Sequence, residues 1–295
     1  MLEHLVTSIR VKEQLLELIK LYPSLFIVEI GESRMGRPIY AVTIGNGPRA
    51  IMYNASHHAN EWITTSILMR FIEECCTSQS FPEDVTLHLI PLVNPDGVDL
   101  TTGNIGRFRY AYKDAKKMCE AVCETTQNEC NFPNCWKANI CGVDLNSNYP
   151  AGWEEGREHK FARGYNQPCA RDYVGPNPLS EPETCAMVAY TKINDFEMTM
   201  SLHTQGEEIY WRYKDYKPKG AEELAQRLSQ VSGYALQDVP SESSHGGYRD
   251  WFIETYNRPG FTIECGLGEN PLPFSQFEDI YKKTAPLLWE GLVKL

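Results

Sequence analysis

Apolar residues near the start of the chain recur at helical rather than strand spacing. Leu2, Leu5, Val6, Ile9, Val11, Leu15, Leu16, Leu18, Ile19 and Leu21 are broken up by charges, which predicts an amphipathic helix over 1–22 packed on a larger body. Those charges, and the lack of a small-residue cleavage site, argue against a secretory signal. Farther on, short runs rich in β-branched and aromatic residues predict strands at 25–30, 39–44, 50–54, 85–92, 197–202 and 260–264. Segments of helical periodicity separate them at 60–76, 181–193, 220–232, 248–256 and 275–295. Ser180 with Glu183 reads as a capping box opening one of these helices. Strands alternating with helices imply an α/β fold, a sheet covered on both faces. The stretch 149–178, with its Pro, Gly and aromatic residues, reads as a long surface loop.

The length of 295 residues suits one large domain over 1–295, and no Gly/Ser-rich or Pro-rich linker divides it. No run of about 18 uncharged apolar residues occurs, so no membrane span is expected and the cytoplasm is the expected compartment. A net charge of −11 disfavours a nucleic-acid partner, because phosphate needs surfaces lined by Lys and Arg. It leaves room for a locally basic site on an acidic protein. Cys119, Cys123, Cys130, Cys135 and Cys141 lie close together. They form no C-x-x-C pair and fit no zinc-ribbon spacing, so reduced, part-buried thiols are expected in preference to a second metal or redox cluster.

The segment Ala50–Thr65 carries the strongest chemical signal. An apolar strand ends at Ala55, and His58 and Glu61 follow at the turn into a helix. Three residues apart across that junction, an imidazole and a carboxylate can converge on one zinc ion. The segment Met198–His203 supplies a second strand ending in His, which can close a His₂Glu site with a position left for water. On its own H-x-x-E is a common surface pair. His57 is the rival ligand in the doublet, although only His58 has a Glu at the third position.

Five ordered motifs extend this signal: His58-Ala-Asn-Glu61-Trp62, Gly142-Val-Asp-Leu-Asn-Ser-Asn148, Ser201-Leu-His203, Gly246-Gly-Tyr-Arg-Asp-Trp251 and Phe261-Thr-Ile-Glu264. Together they resemble the zinc carboxypeptidase family over most of the chain. The resemblance implies a mixed, twisted sheet of about eight strands between helices, with the site at the carboxyl ends of the central strands. By position it implies one zinc ion held by His58, Glu61 and His203, with Glu264 as general base and Asp144 orienting the first histidine. Lys137, following Trp136, stands where the family has an arginine that polarises the scissile carbonyl, and it could act there as a point charge.

The chain also departs from the digestive-type pattern. Ser147 follows Asn146 where those enzymes carry an arginine that grips the terminal carboxylate, and Asn60 replaces a second arginine. A cation appears instead at Arg249, in the position that sets the character of the pocket beyond the scissile bond. This combination is similar to the bacterial branch that cuts between γ-D-glutamate and meso-diaminopimelate in cell-wall peptides, which implies a muropeptide substrate. Gln205 and Tyr248 are further substrate-facing candidates beside Asn146 and Ser147. A carboxypeptidase or deacylase of the same class, and a catalytically silent binding protein, are the competing readings.

Overall fold

The computed structural model describes residues 6–126, 131–240 and 244–294. Thr7 caps the first helix, α1 (Ser8–Leu21), its Oγ1 accepting from Arg10 N at 3.2 Å. Val11, Leu15 and Leu18 form the buried face, the one-turn spacing read from the sequence. Met1–Leu5 of the expected helix lie outside the described residues.

Eight strands form one sheet: β1 (Phe26–Glu32), β2 (Pro38–Gly45), β3 (Arg49–Ala55), β4 (Val85–Ile90), β5 (Met198–His203), β6 (Glu208–Tyr210), β7 (Ala235–Gln237) and β8 (Gly260–Glu264). Their spatial order is β1-β2-β4-β3-β5-β8-β6-β7. The central strands β4, β3, β5 and β8 run parallel, while β1, β2 and β6 join antiparallel. The helices that follow α1 are α2 (Ile63–Thr77), α3 (Pro95–Thr101), α4 (Tyr110–Thr126), α5 (Trp153–Ala162), α6 (Pro182–Asn194), α7 (Ala221–Ser232), α8 (Tyr248–Tyr256) and α9 (Phe277–Glu290).

Alternation along the strands decides which side each residue serves. Ile51, Tyr53 and Ala55 of β3 join a core with Ile67 and Phe71 of α2, Leu224 of α7 and Leu287 of α9. Met52, between them, joins a second core with Met187 of α6 and Phe252 of α8. Side chains of period two facing two apolar layers require helices on both faces. The sheet is thus the expected mixed α/β sheet of eight strands.

Several local expectations are corrected. The stretch 149–178 is not a continuous loop, because α5 opens at Trp153 behind Gly152, whose φ of +58° turns the chain. Ser180 and Glu183 form no capping box: Ser180 Oγ donates to Glu181, and the Glu183 carboxylate faces Arg34 N and Asn139. The helix expected over 60–76 is a short 3-10 turn, Ala59–Glu61, followed by α2. The last helix ends at Glu290, where Gly291 packs against the Tyr53 hydroxyl. The strands β6 and β7, and the helices α3, α4 and α5, lie outside the expected segments. Three-residue strands are too short to carry a period.

Candidate metal centre

Parallel neighbours end on the same edge of a sheet, so the carboxyl ends of β3, β5 and β8 share one rim. Register places Ala55 beside Leu202 and His203 beside Glu264. Beyond β3 the chain turns through Ser56 at φ +52°. The Ser56 hydroxyl shares hydrogen bonds with those of Thr64 (3.0 Å) and Thr65 (2.8 Å) on α2. Asn94 Nδ2 donates to the His57 carbonyl at 3.0 Å. These bonds fix the turn, so the short 3-10 helix swings Glu61 back toward His58.

His58, Glu61 and His203 are buried, and their ligand-type atoms all lie within 4.8 Å of one another. His58 Nδ1 is 2.9 Å from Glu61 Oε1, His203 Nδ1 is 2.9 Å from Glu61 Oε2, and the two Nδ1 atoms are 3.1 Å apart. Ligands about 2.1 Å from a tetrahedral zinc ion stand roughly 3.4 Å from one another, so the spacing and the N, N, O donor set fit that ion. Thr204 N donates to Glu61 Oε2 at 3.1 Å and holds the carboxylate. His58 Nε2 donates to Asp144 Oδ1 at 3.1 Å, which aims Nδ1 at the centre. The rival His57 turns away, with Nε2 2.9 Å from the Tyr149 hydroxyl.

The charges around this centre are strongly coupled. Burial pushes the Glu61 carboxyl up, but His58 and Lys137 overcome it and hold it well below the carboxylate range. Burial lowers His58, yet Glu61 and Asp144 bring it up to about 9, so the metal-free site holds a proton that a divalent ion would displace. Burial pushes Glu264 up to about 8, reinforced by Glu61 and opposed by Lys137. A dication among the ligands reverses that balance and favours the Glu264 carboxylate. Lys137 Nζ lies 3.3 Å from Glu61 Oε1, and its backbone N donates to the Ala170 carbonyl at 2.7 Å.

A cleft of about 820 Å³ opens over the centre, with His58, Lys137, Asn146, Ser147, Gln205, Arg249 and Glu264 in its walls. Arg249 is buried, and its Nε donates to Asp250 Oδ1 at 3.0 Å. Its stem lies along β8, where a Cβ at Gly260 would come within 3.3 Å of Arg249 Cγ. Asn146 Oδ1 accepts from Tyr248 N at 3.1 Å. Ser147 is buried, and Gln205 is exposed at the rim.

Tyr248 does not face substrate. It is fully buried at the start of α8, with its hydroxyl 2.8 Å from Thr191 Oγ1, because the first turn of that helix points into the core. Of the clustered cysteines, Cys123, Cys135 and Cys141 are free, as expected, and Cys119 needs correction. Cys119 is disulfide-bonded; α4 sets Cys119 and Cys123 one turn apart against the segment carrying Cys135, and Cys119 Sγ is 3.4 Å from Cys135 Sγ. Cys130 lies outside the described residues. Among the described residues, His58, Glu61 and His203 form the one cluster with metal-ligand geometry.

Lys160, Arg171 and Asp172 also line the cleft, and sequence reasoning missed them. They enter from α5 and the irregular chain after it, where spacing carries no signal. Asp172 N donates to Asp144 Oδ2 at 3.2 Å, which ties this wall to the His58 partner.

Comparison with known proteins agrees with the geometry. The family model for zinc carboxypeptidases matches residues 12–286. The chain is 40% identical over 283 residues to gamma-D-glutamyl-L-diamino acid endopeptidase 1 of Lysinibacillus sphaericus, covering 92% of this chain and 68% of that one. The structure of thrombin-activatable fibrinolysis inhibitor superposes with a TM-score of 0.75 at 18% identity, covering 98% of this chain and 74% of that one. The murein-tripeptide amidase of Escherichia coli O157 superposes at 0.55 with 21% identity, covering 90% of this chain and 91% of that one. With the fold, a zinc-compatible centre and a family match spanning nearly its whole length, this chain belongs to the zinc carboxypeptidase family and is a zinc metallopeptidase.

Proposed function

We propose that the enzyme hydrolyses the γ-D-glutamyl–meso-diaminopimelate bond of released peptidoglycan peptides, with residues 1–295 as one catalytic domain. The observation that carries this reading is the placement of positive charge. No arginine follows Asn146, so the bidentate grip on an ordinary terminal carboxylate is missing. A buried arginine, Arg249, lies instead along β8 in the cleft. Meso-diaminopimelate carries an amino-carboxyl group at the far end of its side chain, and a forked guanidinium deep in the pocket matches it. The 40% identical relative, whose name specifies a γ-D-glutamyl–diamino acid bond, supports the same reading.

Zinc, held by His58, Glu61 and His203, would supply Lewis acidity that acidifies water and polarises the scissile carbonyl. In this reading Glu264 takes the proton of the attacking water and passes it to the leaving amine. Lys137 stabilises the charge that develops on the carbonyl oxygen, and Asp144 keeps His58 in the tautomer that binds metal. Asn146, Ser147 and Gln205 line the path of the substrate. Arg249 selects the residue beyond the cut.

Steady-state kinetics on L-Ala-γ-D-Glu-meso-diaminopimelate and on its L-lysine analogue test this reading. The wild type is expected to prefer the diaminopimelate peptide, and Arg249→Ala to lose that preference by roughly 10- to 100-fold. Equal rates on both peptides, in wild type and variant alike, would remove it.

A further inference from the structure

Arg171 has no part in the reaction as described, yet it stands in the wall of the same cleft. Its neighbours fix where it lies. Lys137 N and Ala138 N both donate to the Ala170 carbonyl, at 2.7 and 3.0 Å, so Arg171 enters the cleft directly beside Lys137. Asp172, the next residue, is tied through its N–H to Asp144, and Asp144 in turn holds His58. Arg249 enters the cleft from α8, its stem against Gly260 at the start of β8, the strand whose last residue, Glu264, pairs in register with His203. Both arginines thus line the cleft that holds the metal ligands, each carried by a different segment.

The side chain is available for a ligand. It is about half exposed at 51%, and its Nε donates to Asp172 Oδ2 at 2.7 Å. No other hydrogen bond of its guanidinium is found among the described residues. The Asp172 carboxylate also pairs with Lys160. Lys160 and Arg171 thus share one carboxylate, and the buried Asp144 beside it is engaged by His58. The charge of Arg171 reaches Lys137, where it opposes the rise in that ammonium's pKa.

The chemistry of a γ-linked substrate gives this charge a use. In an α-peptide the acyl residue's own carboxyl is the scissile carbonyl, so no free backbone carboxylate remains on that side of the cut. In a γ-glutamyl amide the side-chain carboxyl is the scissile carbonyl. The α-carboxylate is then left free, four bonds or about 5 Å away. A cation beside the carbonyl-polarising lysine, separate from Arg249, is what such a substrate can use and an α-peptide cannot.

We propose that Arg171 is a specificity-determining residue that binds the free α-carboxylate of the γ-linked glutamyl residue on the acyl side of the scissile bond. The inference rests on the substrate reading above and extends it to the opposite half of the substrate. Together the two arginines recognise the substrate by an anion on each side of the cut bond, on a protein whose net charge is −11.

The experiment compares kcat/KM on L-Ala-γ-D-Glu-meso-diaminopimelate with that on the same tripeptide carrying an α-carboxamide in place of the glutamyl α-carboxylate. Wild type, Arg171→Ala and Arg171→Lys are measured on both. Wild type is expected to favour the acid over the amide by roughly tenfold or more. Arg171→Ala is expected to lose that factor on the acid and to stay within about twofold of wild type on the amide, with Arg171→Lys between. An equal loss on both peptides would mean that Arg171 only supports Asp172 and would overturn the inference. A wild type indifferent to amidation would overturn it as well, with the substrate reading left standing. A wild type that cleaves neither peptide would overturn that reading and this inference with it.

Discussion

Two residues separate His58 from Glu61, and the turn at Ser56 makes that spacing work. The left-handed Ser56 and its bonds to Thr64 and Thr65 bend the chain so that both side chains point at His203. At this scale the chemistry divides cleanly between groups that hold metal and groups that move protons. Glu264→Gln keeps the shape of the side chain and removes its proton affinity. Its kcat is expected to fall at least about 100-fold, with zinc content and thermal unfolding unchanged. A Glu264→Gln enzyme with near wild-type turnover would show that another group handles the proton. Asp144→Asn removes the carboxylate that receives the His58 Nε2 proton. Zinc affinity, read by competition with a chelator, is expected to weaken roughly 10- to 100-fold.

Elements translate these residue preferences into position. The Gly246–Gly247 turn brings α8, and with it Arg249, against the Asn146 segment. Gly246 sits at φ +74°, and a Cβ there would lie 2.7 Å from the Ser147 carbonyl oxygen. Gly246→Ala is therefore expected to destabilise the fold by about 1–3 kcal/mol and to raise KM more than it lowers kcat, measured by denaturant unfolding and kinetics. His88 in β4 tests burial through pH. Its Nδ1 lies 2.7 Å from the Tyr190 hydroxyl, and burial lowers its pKa to about 4. The folded state keeps the ring neutral, so the unfolded chain binds the extra proton. The stabilisation is complete above about pH 6.5 and is lost as pH falls toward 4, by up to roughly 3 kcal/mol. His88→Asn is expected to flatten the acid side of the stability profile over that window. A profile unchanged from wild type would contradict the assignment.

This scale also shows why parts of the fold were hard to read from sequence. The long strands and most of the amphipathic helices, α4 excepted, announced themselves because burial imposes a period on them. By contrast α5 carries Glu154, Glu155, Arg157, Glu158 and His159 in ten residues, which makes its apolar stripe too thin to detect. The strands β6 and β7 are held by pairing with β8 and with each other rather than by their own pattern. The metal ligands were legible because the motif order resembled a known family, and Tyr248 was misjudged because position in a motif does not say which way a helix start faces. The Arg171 wall left no trace because non-repetitive backbone has no spacing rule.

At the scale of the whole molecule the ligands come from the turn after β3 (His58 and Glu61) and the end of β5 (His203), so bound zinc would tie together β3, β5 and the start of α2. Zinc is expected to raise the melting temperature of the chelator-treated protein in a concentration-dependent way. It is also expected to release protons, as His58 gives up the charge that Glu61 and Asp144 hold on it. Absence of any zinc-dependent shift would place the ion elsewhere.

The most direct test is mass spectrometry of the products from L-Ala-γ-D-Glu-meso-diaminopimelyl-D-Ala, incubated with the zinc-loaded enzyme. The expected products are L-Ala-D-Glu and the dipeptide meso-diaminopimelyl-D-Ala. Release of D-Ala with the remaining tripeptide intact would instead mark a carboxypeptidase and contradict the account.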